Sequence, residues 1–307
     1  MIKTIFIVGP TASGKTEYSI RLAQDIDGQI VSADSMQLYK YMDIGSAKPS
    51  KEERALVPHY MVDVIDPKDA FSVYDYMIHA KYYIEQIYYQ NKFPIVCGGT
   101  GLYINSLIYE MDFSAPEGDN DYREAIRARY DNDPMKIHAR LAELDPDAAD
   151  NIHPNNVKRV LRAIERLEKG EGKLAQFTDA VKPSYTIDPV MIGLNMDRDA
   201  LYERINRRVD RLFEAGLEQE VRGLMEKGFT SADVAMKGIG YKEIIDAIDS
   251  GNSAESAKEI IKANTRHYAR RQLIWLRRYE QIRWVDISAD GFDEAAYEQI
   301  MMIAAGE

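Results

Sequence analysis

Near the start of the chain, Gly9-Pro10-Thr11-Ala12-Ser13-Gly14-Lys15-Thr16 has the spacing G-x-x-x-x-G-K-T. It follows directly on the apolar run Ile5-Phe6-Ile7-Val8. A loop of this kind, set between a strand and a helix, wraps backbone N–H groups around a di- or triphosphate. Lys15 would reach the terminal phosphate oxygens and the Thr16 hydroxyl would ligate Mg²⁺. A glycine-rich turn with no ligand is the competing explanation. Against it stand the strand before and the amphipathic repeat Tyr18, Leu22, Ile26 after. Two further groups bear chemistry at apolar run ends. Asp34-Ser35-Met36-Gln37 follows Ile30-Val31-Ser32-Ala33, and Thr100 stands within Gly98-Gly99-Thr100-Gly101 after Phe93-Pro94-Ile95-Val96-Cys97. An aspartate there serves as a Mg²⁺ ligand, as a general base toward an attacking nucleophile, or only as a turn cap.

Ligands of open α/β sheets sit at the carboxyl ends of the strands, so these groups need a parallel sheet to bring them together. Residues 1–110 alternate apolar runs with helical patterns, which predicts a doubly wound parallel sheet. The expected strands are Ile5–Val8, Ile30–Ala33, Met61–Ile65 and Phe93–Cys97, with a tyrosine-rich helix over about 73–90. Residues 112–121 and 171–189 are rich in Pro, Gly, Asp and Ser and read as linkers, and 122–170 reads as charged helices. Val190–Leu194 returns as the last core strand. The remainder reads as helical, over about 199–214, 217–227, 241–249 and 254–280. The expected fold class is α/β: a P-loop NTPase-like parallel sheet flanked by helices, with a small all-helical domain inserted. Its core would be 1–114 and 185–307, and the insert 115–184.

The 307 residues are 45% hydrophobic and hold no apolar run near the roughly 20 residues of a membrane span, so no membrane partner is expected. No charged segment followed by an apolar one opens the chain, and the expected location is cytoplasmic. Cys97 is the single cysteine, which excludes disulfides within the chain and cysteine-based zinc sites. A monomer is the expected state.

The net charge of −11 argues against nucleic acid, yet cations cluster on helix faces. Arg204, Arg207, Arg208 and Arg211 share a face opposite Leu201, Ile205, Val209 and Leu212. Lys158, Arg159, Arg162 and Arg166 follow Asn155-Asn156, and Lys258, Lys262, Arg266, Arg270, Arg271, Arg277 and Arg278 follow later. Such faces suit a phosphate backbone or, singly, a lid over bound phosphates. Ordinary solvated surface is the alternative for each.

Together these segments resemble the tRNA dimethylallyltransferase (isopentenyltransferase) family, in its bacterial form. The matching residues are Gly9 to Thr16, Asp34-Ser35-Met36-Gln37-Leu38-Tyr39, Met42 to Pro49 and Gly98-Gly99-Thr100-Gly101-Leu102-Tyr103. Farther on they are Ile152-His153-Pro154-Asn155 with Arg159, Gly238-Ile239-Gly240-Tyr241, and Arg270-Arg271-Gln272 with Trp275-Leu276. The resemblance implies that the phosphate loop holds the pyrophosphate of dimethylallyl diphosphate and that Mg²⁺ is the cofactor. Asp34 would take a proton from adenine N6 with Thr100 orienting the base, and Arg208 would join Lys15 on the leaving group. The tRNA partner would meet Asp34, Ser35, Met36, Gln37 and Thr100 at the flipped base. Its anticodon stem-loop would meet Arg123, Lys158, Arg159 and Arg162 on the insert, and Lys237, Gly240 and Lys242 on a glycine-rich turn that otherwise serves as a helix cap. Two readings stay open beside this one. They are a P-loop kinase of small molecules and an isopentenyltransferase acting on free adenine nucleotides.

Overall fold

A computed structural model describes residues 1–111, 119–173, 182–288 and 291–306. Six strands form one sheet in the order β3-β2-β4-β1-β5-β6, and every neighbouring pair is parallel. The strands are β1 (Ile2–Val8), β2 (Gly28–Ala33), β3 (His59–Tyr60), β4 (Phe93–Gly98), β5 (Ile187–Asn195) and β6 (Arg283–Asp286). The helices connecting the first four are α1 (Lys15–Asp25), α2 (Lys51–Leu56) and α3 (Val73–Tyr89), and α4 (Gly101–Ile108) follows β4. The central strands β1, β2 and β4 are buried almost throughout, as continuous apolar runs covered on both faces must be. One cluster joins Ile5, Ile7, Ile30 and Ile95 of the sheet to Ile20 and Leu22 of α1 and to Ile300.

The chain divides into two compact units. One is Met1–Glu110 with Pro183–Glu307, and the other is Met111–Lys182. The second unit holds α5 (Asn120–Arg129), α6 (Pro134–Leu144), α7 (Pro146–Asn151) and α8 (Val157–Glu168) around Ile126, Ile137, Leu141, Val160 and Ile164. In the first unit the sheet is followed by α9 (Arg198–Glu214), α10 (Leu217–Glu226), α11 (Tyr241–Asp249), α12 (Lys258–Leu276) and, after β6, α13 (Glu294–Ala305).

Several elements differ from the sequence expectation. The third strand is His59–Tyr60, not Met61–Ile65. Met61 and Asp63 adopt left-handed backbone (φ 60 and 58), which ends a regular strand. The amides of Asp63 and Val64 bond instead to the carbonyls of Gln37 and Leu38. Residues 187–189 begin β5 rather than a linker, with Pro189 opposite Thr4 of β1. The C-terminal part is not all helical, because β6 adds an edge strand. The expected helix over 254–280 is a 3₁₀ turn, Ala254–Ala257, followed by α12, which ends at Leu276. The linker residues 112–118 and 174–181 lie outside the described residues.

Candidate active site

Strand register brings the chemical groups together. Val8 and Ala33 are both register partners of Gly98, so β1, β2 and β4 end level with one another. One residue farther along lie Gly9, Asp34 and Gly99. The phosphate loop, the aspartate and the Thr100 loop therefore share one rim of the sheet.

In the phosphate loop, Gly14 takes left-handed backbone (φ 81) at the N-cap of α1, a conformation suited to glycine. Lys15 then opens the helix, whose first amides have no helical partner and suit an anion. The Ser13 hydroxyl donates to the Pro10 carbonyl at 2.9 Å and Lys15 Nζ donates to the same carbonyl at 2.6 Å. Burial lowers the Lys15 pKa to about 8. The nearby Arg208 pushes the same way, while Cys97 and Asp34 oppose it.

Asp34 Oδ1 accepts the Met36 N–H at 2.9 Å, forming a tight turn. No described residue hydrogen-bonds to its other carboxylate oxygen. Thr100 is tied to the same turn: its N–H donates to Ala33 O at 3.0 Å and its Oγ1 accepts the Ser35 N–H at 3.1 Å. Thr11, Lys15, Thr16, Asp34, Gln37, Arg208 and Gln272 line a single cleft. Thr100 adjoins it through Ser35. Two of the expected contact residues are already engaged within the protein. Met36 packs on Gly238, where a Cβ would lie 2.4 Å from Met36 Cε. The Gln37 amide accepts from Ser32 Oγ at 2.9 Å and donates to Ala47 O at 3.4 Å.

Of the α9 arginines, Arg204 and Arg208 are half-buried while Arg207 and Arg211 are exposed. Arg208 alone of the four lines the cleft. Burial pulls its pKa down from the ordinary guanidinium value and Asp34 opposes that. Its charge persists at neutral pH.

Side chains to which the sequence reading gave no role complete the site. Gln272 and Tyr268 sit one turn apart on α12. Burial raises the Tyr268 pKa, and the nearby Asp34 pushes the same way. His59 lines the cleft with Nδ1 on the Val57 carbonyl, and its Nε2 is buried with no partner among the described residues. Burial lowers the His59 pKa. Gln272 and Tyr268 carry one sequence signal: polar side chains spaced i, i+4 beside the apolar Ala269 and Leu276.

Among the described residues no cluster of three His, Cys, Asp or Glu side chains could cage a metal. The Thr16 hydroxyl in the phosphate-loop cleft fits Mg²⁺ nonetheless, because that ion takes few protein ligands and is held chiefly by substrate phosphates and water.

The expected RNA-binding cations fall into three cases. On α8, Lys158, Arg159 and Arg162 are exposed and form no ion pair with a described residue. Arg123 of α5 is instead held by the buried Glu165 at 2.6 Å. Lys237 and Lys242 are exposed, but Gly240 between them is buried and its N–H donates to Glu243 at 2.7 Å. Gly240 caps α11 and has no N–H to offer RNA. The basic face of α12 is partly neutralised. Lys258 and Lys262 pair with Asp210 of α9 at 3.4 and 2.9 Å, and Arg266 donates to Asn206 at 2.6 Å.

The model of the IPP transferase family matches residues 37–279. A tRNA dimethylallyltransferase of Alkaliphilus oremlandii is 46% identical over 287 residues, covering 93% of this chain and 92% of that protein. One from Clostridioides difficile is 44% identical and covers 98% and 97%. Among solved structures, the tRNA isopentenylpyrophosphate transferase of Bacillus halodurans superposes with a TM-score of 0.74 at 39% identity, covering 99% of this chain and 97% of that one. A eukaryotic dimethylallyltransferase acting on tRNA gives a TM-score of 0.79 at 28% identity, covering 98% and 78%. The level strand ends, the phosphate loop and Asp34 thus occur in a chain that matches these enzymes over nearly its whole length, and the chain belongs to the IPP transferase family.

Proposed function

We propose that this chain transfers the dimethylallyl group of dimethylallyl diphosphate to N6 of the adenosine 3′-adjacent to the anticodon of tRNA, releasing pyrophosphate. One observation carries the reading: a single cleft holds Lys15 and Arg208 beside a phosphate loop, with Asp34 on the same rim. The names of the relatives support it.

The chemistry follows from what each side chain can do. The N6 lone pair forms a bond to C1 of the allyl group as the bond from C1 to the diphosphate oxygen breaks. The N6 proton passes to the unengaged oxygen of Asp34, and the bonding electrons leave with pyrophosphate. Charge develops on that leaving group, so fixed cations and backbone amides beside it stabilise the transition state more than the ground state. Lys15, Arg208 and the first amides of α1 fill that role. The Thr16 hydroxyl would hold Mg²⁺, which when bound neutralises part of the diphosphate charge. Thr100, fixed by Ser35, orients the adenine. A base must leave its stack to reach Asp34, and an RNA loop is where unstacking costs least. In the helical unit, the exposed cations of α8 suit the phosphates of the stem.

The test is incubation with dimethylallyl diphosphate, Mg²⁺ and unmodified tRNA, then digestion to nucleosides and mass spectrometry. One adenosine per tRNA heavier by a C5H8 unit is expected. Unaltered tRNA, with ATP consumed on a small hydroxylated acceptor, would replace this reading with a kinase.

A further inference from the structure

We propose that Gln272 is a positioning residue that couples the phosphate end of the cleft to the base end, so that a bound diphosphate tightens the grip on RNA. This rests on the function proposed above. Gln272 is 6% exposed. Its Oε1 accepts the Thr11 N–H at 2.8 Å and its Nε2 donates to the Gly99 carbonyl at 3.1 Å. One planar amide thus joins the phosphate loop to the loop that carries Thr100. There is little slack in the joint, since a Cβ on Gly99 would lie 2.3 Å from Gln272 Nε2.

The chain of contacts continues. Thr100 accepts the Ser35 N–H, next to Asp34. The phosphate loop, Gln272, the Gly99-Thr100 loop and the Asp34 turn thus form one continuous chain of contacts. A diphosphate that draws in the loop amides shifts Thr11, and the amide passes that shift to Gly99 and Thr100. A primary amide suits this joint because it is donor and acceptor in one plane. Glutamate keeps the acceptor for Thr11 and loses the donor for Gly99; methionine loses both. Contiguous hydrogen-bonded networks of this kind carry coupling between sites, and the coupling is reciprocal.

The experiment measures binding of a labelled anticodon stem-loop RNA by fluorescence anisotropy, with and without saturating magnesium pyrophosphate. For the wild type the RNA Kd is expected to fall about tenfold with pyrophosphate. Titrating pyrophosphate with and without RNA gives the same factor. In Gln272→Met and Gln272→Glu the ratio is expected to be about one. A packing role alone would lower the melting temperature and weaken both ligands while leaving the ratio intact. An intact ratio in either folded variant overturns the proposal. So does a wild-type ratio of one, which is read on the native chain and needs neither variant. Absence of prenyl transfer by the wild type would instead sink the function. Transfer with an unchanged ratio sinks only the coupling.

Discussion

The Glu220 carboxylate accepts the Tyr241 hydroxyl at 2.7 Å while also accepting the N–H groups of Asp43, Ile44 and Gly45 at 2.8, 2.7 and 3.0 Å. Four donors on one carboxylate fix the turn that follows Met42. A Cβ on Gly45 would lie 2.5 Å from the Tyr241 ring, so the contact requires glycine there. Farther along, Lys48 is buried and binds Asp43, Asp63 and the Tyr39 carbonyl. Ala47 and Pro49 of this segment form part of the cleft wall. The motif Gly238-Ile239-Gly240-Tyr241 therefore acts, through Tyr241, as a clamp on that wall.

Removing the clamp costs stability. Glu220→Ala leaves several N–H groups without their charged acceptor, each such bond contributing about 1.5–3 kcal/mol when intact and water replacing part of it. A loss of about 2–3 kcal/mol is expected in urea unfolding. A loss below about 0.5 kcal/mol would show that the turn holds itself.

If Lys15 holds the diphosphate as proposed, donor binding should depend on pH. Burial depresses its pKa to about 8 in the free protein. The charged form prevails below that pH and is lost above it, whereas the diphosphate is already fully ionised there. The KM for dimethylallyl diphosphate is expected to be flat up to about pH 8 and then to rise about tenfold per pH unit. Lys15→Ala should bind weakly with no such limb. An unchanged limb in that variant would assign it elsewhere.

Arg208 lines the cleft, and the proposed function gives it the role of stabilising the departing pyrophosphate. Arg208→Gln is expected to lower kcat by about 10²–10³, the range for loss of one transition-state donor. The KM for tRNA should change little. Arg207→Gln, on the exposed side of α9, serves as the control and should lose less than about threefold. Equal losses in the two variants would contradict the placement of Arg208 alone in the cleft.

The exposed cations of α8 should act through screened charge. With Lys158, Arg159 and Arg162 all changed to alanine, the slope of log Kd for tRNA against log salt is expected to fall by about 2–3, near 0.7–0.9 per phosphate contact. An unchanged slope would mean that these side chains meet solvent only.

What was legible in the sequence was local. The phosphate loop, Asp34 and the Thr100 loop announce themselves by residue type and by the apolar runs before them. The parallel sheet that aligns them follows from the alternation of strand and helix patterns. Contacts made across the fold were not legible. Lys258 and Lys262 have local partners in Glu255 and Glu259 three residues earlier, but Asp210, which both also pair with, lies on α9 and could not be read from their own segment. Gln272 sits among arginines and reads as part of a basic face, although the packing of α12 turns it into the cleft. Met61–Ile65 looks like a strand because its composition is apolar, and nothing local signals the left-handed Met61 and Asp63.

The central claim is that Asp34 takes the proton from the attacking amine. Single-turnover transfer from labelled dimethylallyl diphosphate to unmodified tRNA, comparing wild type with Asp34→Asn, tests it most directly. The asparagine keeps the shape and the Met36 N–H bond but cannot accept a proton. A rate at least about a hundredfold lower, with tRNA and donor still bound, is the expected result. A rate within about threefold of wild type at saturating substrates would contradict it.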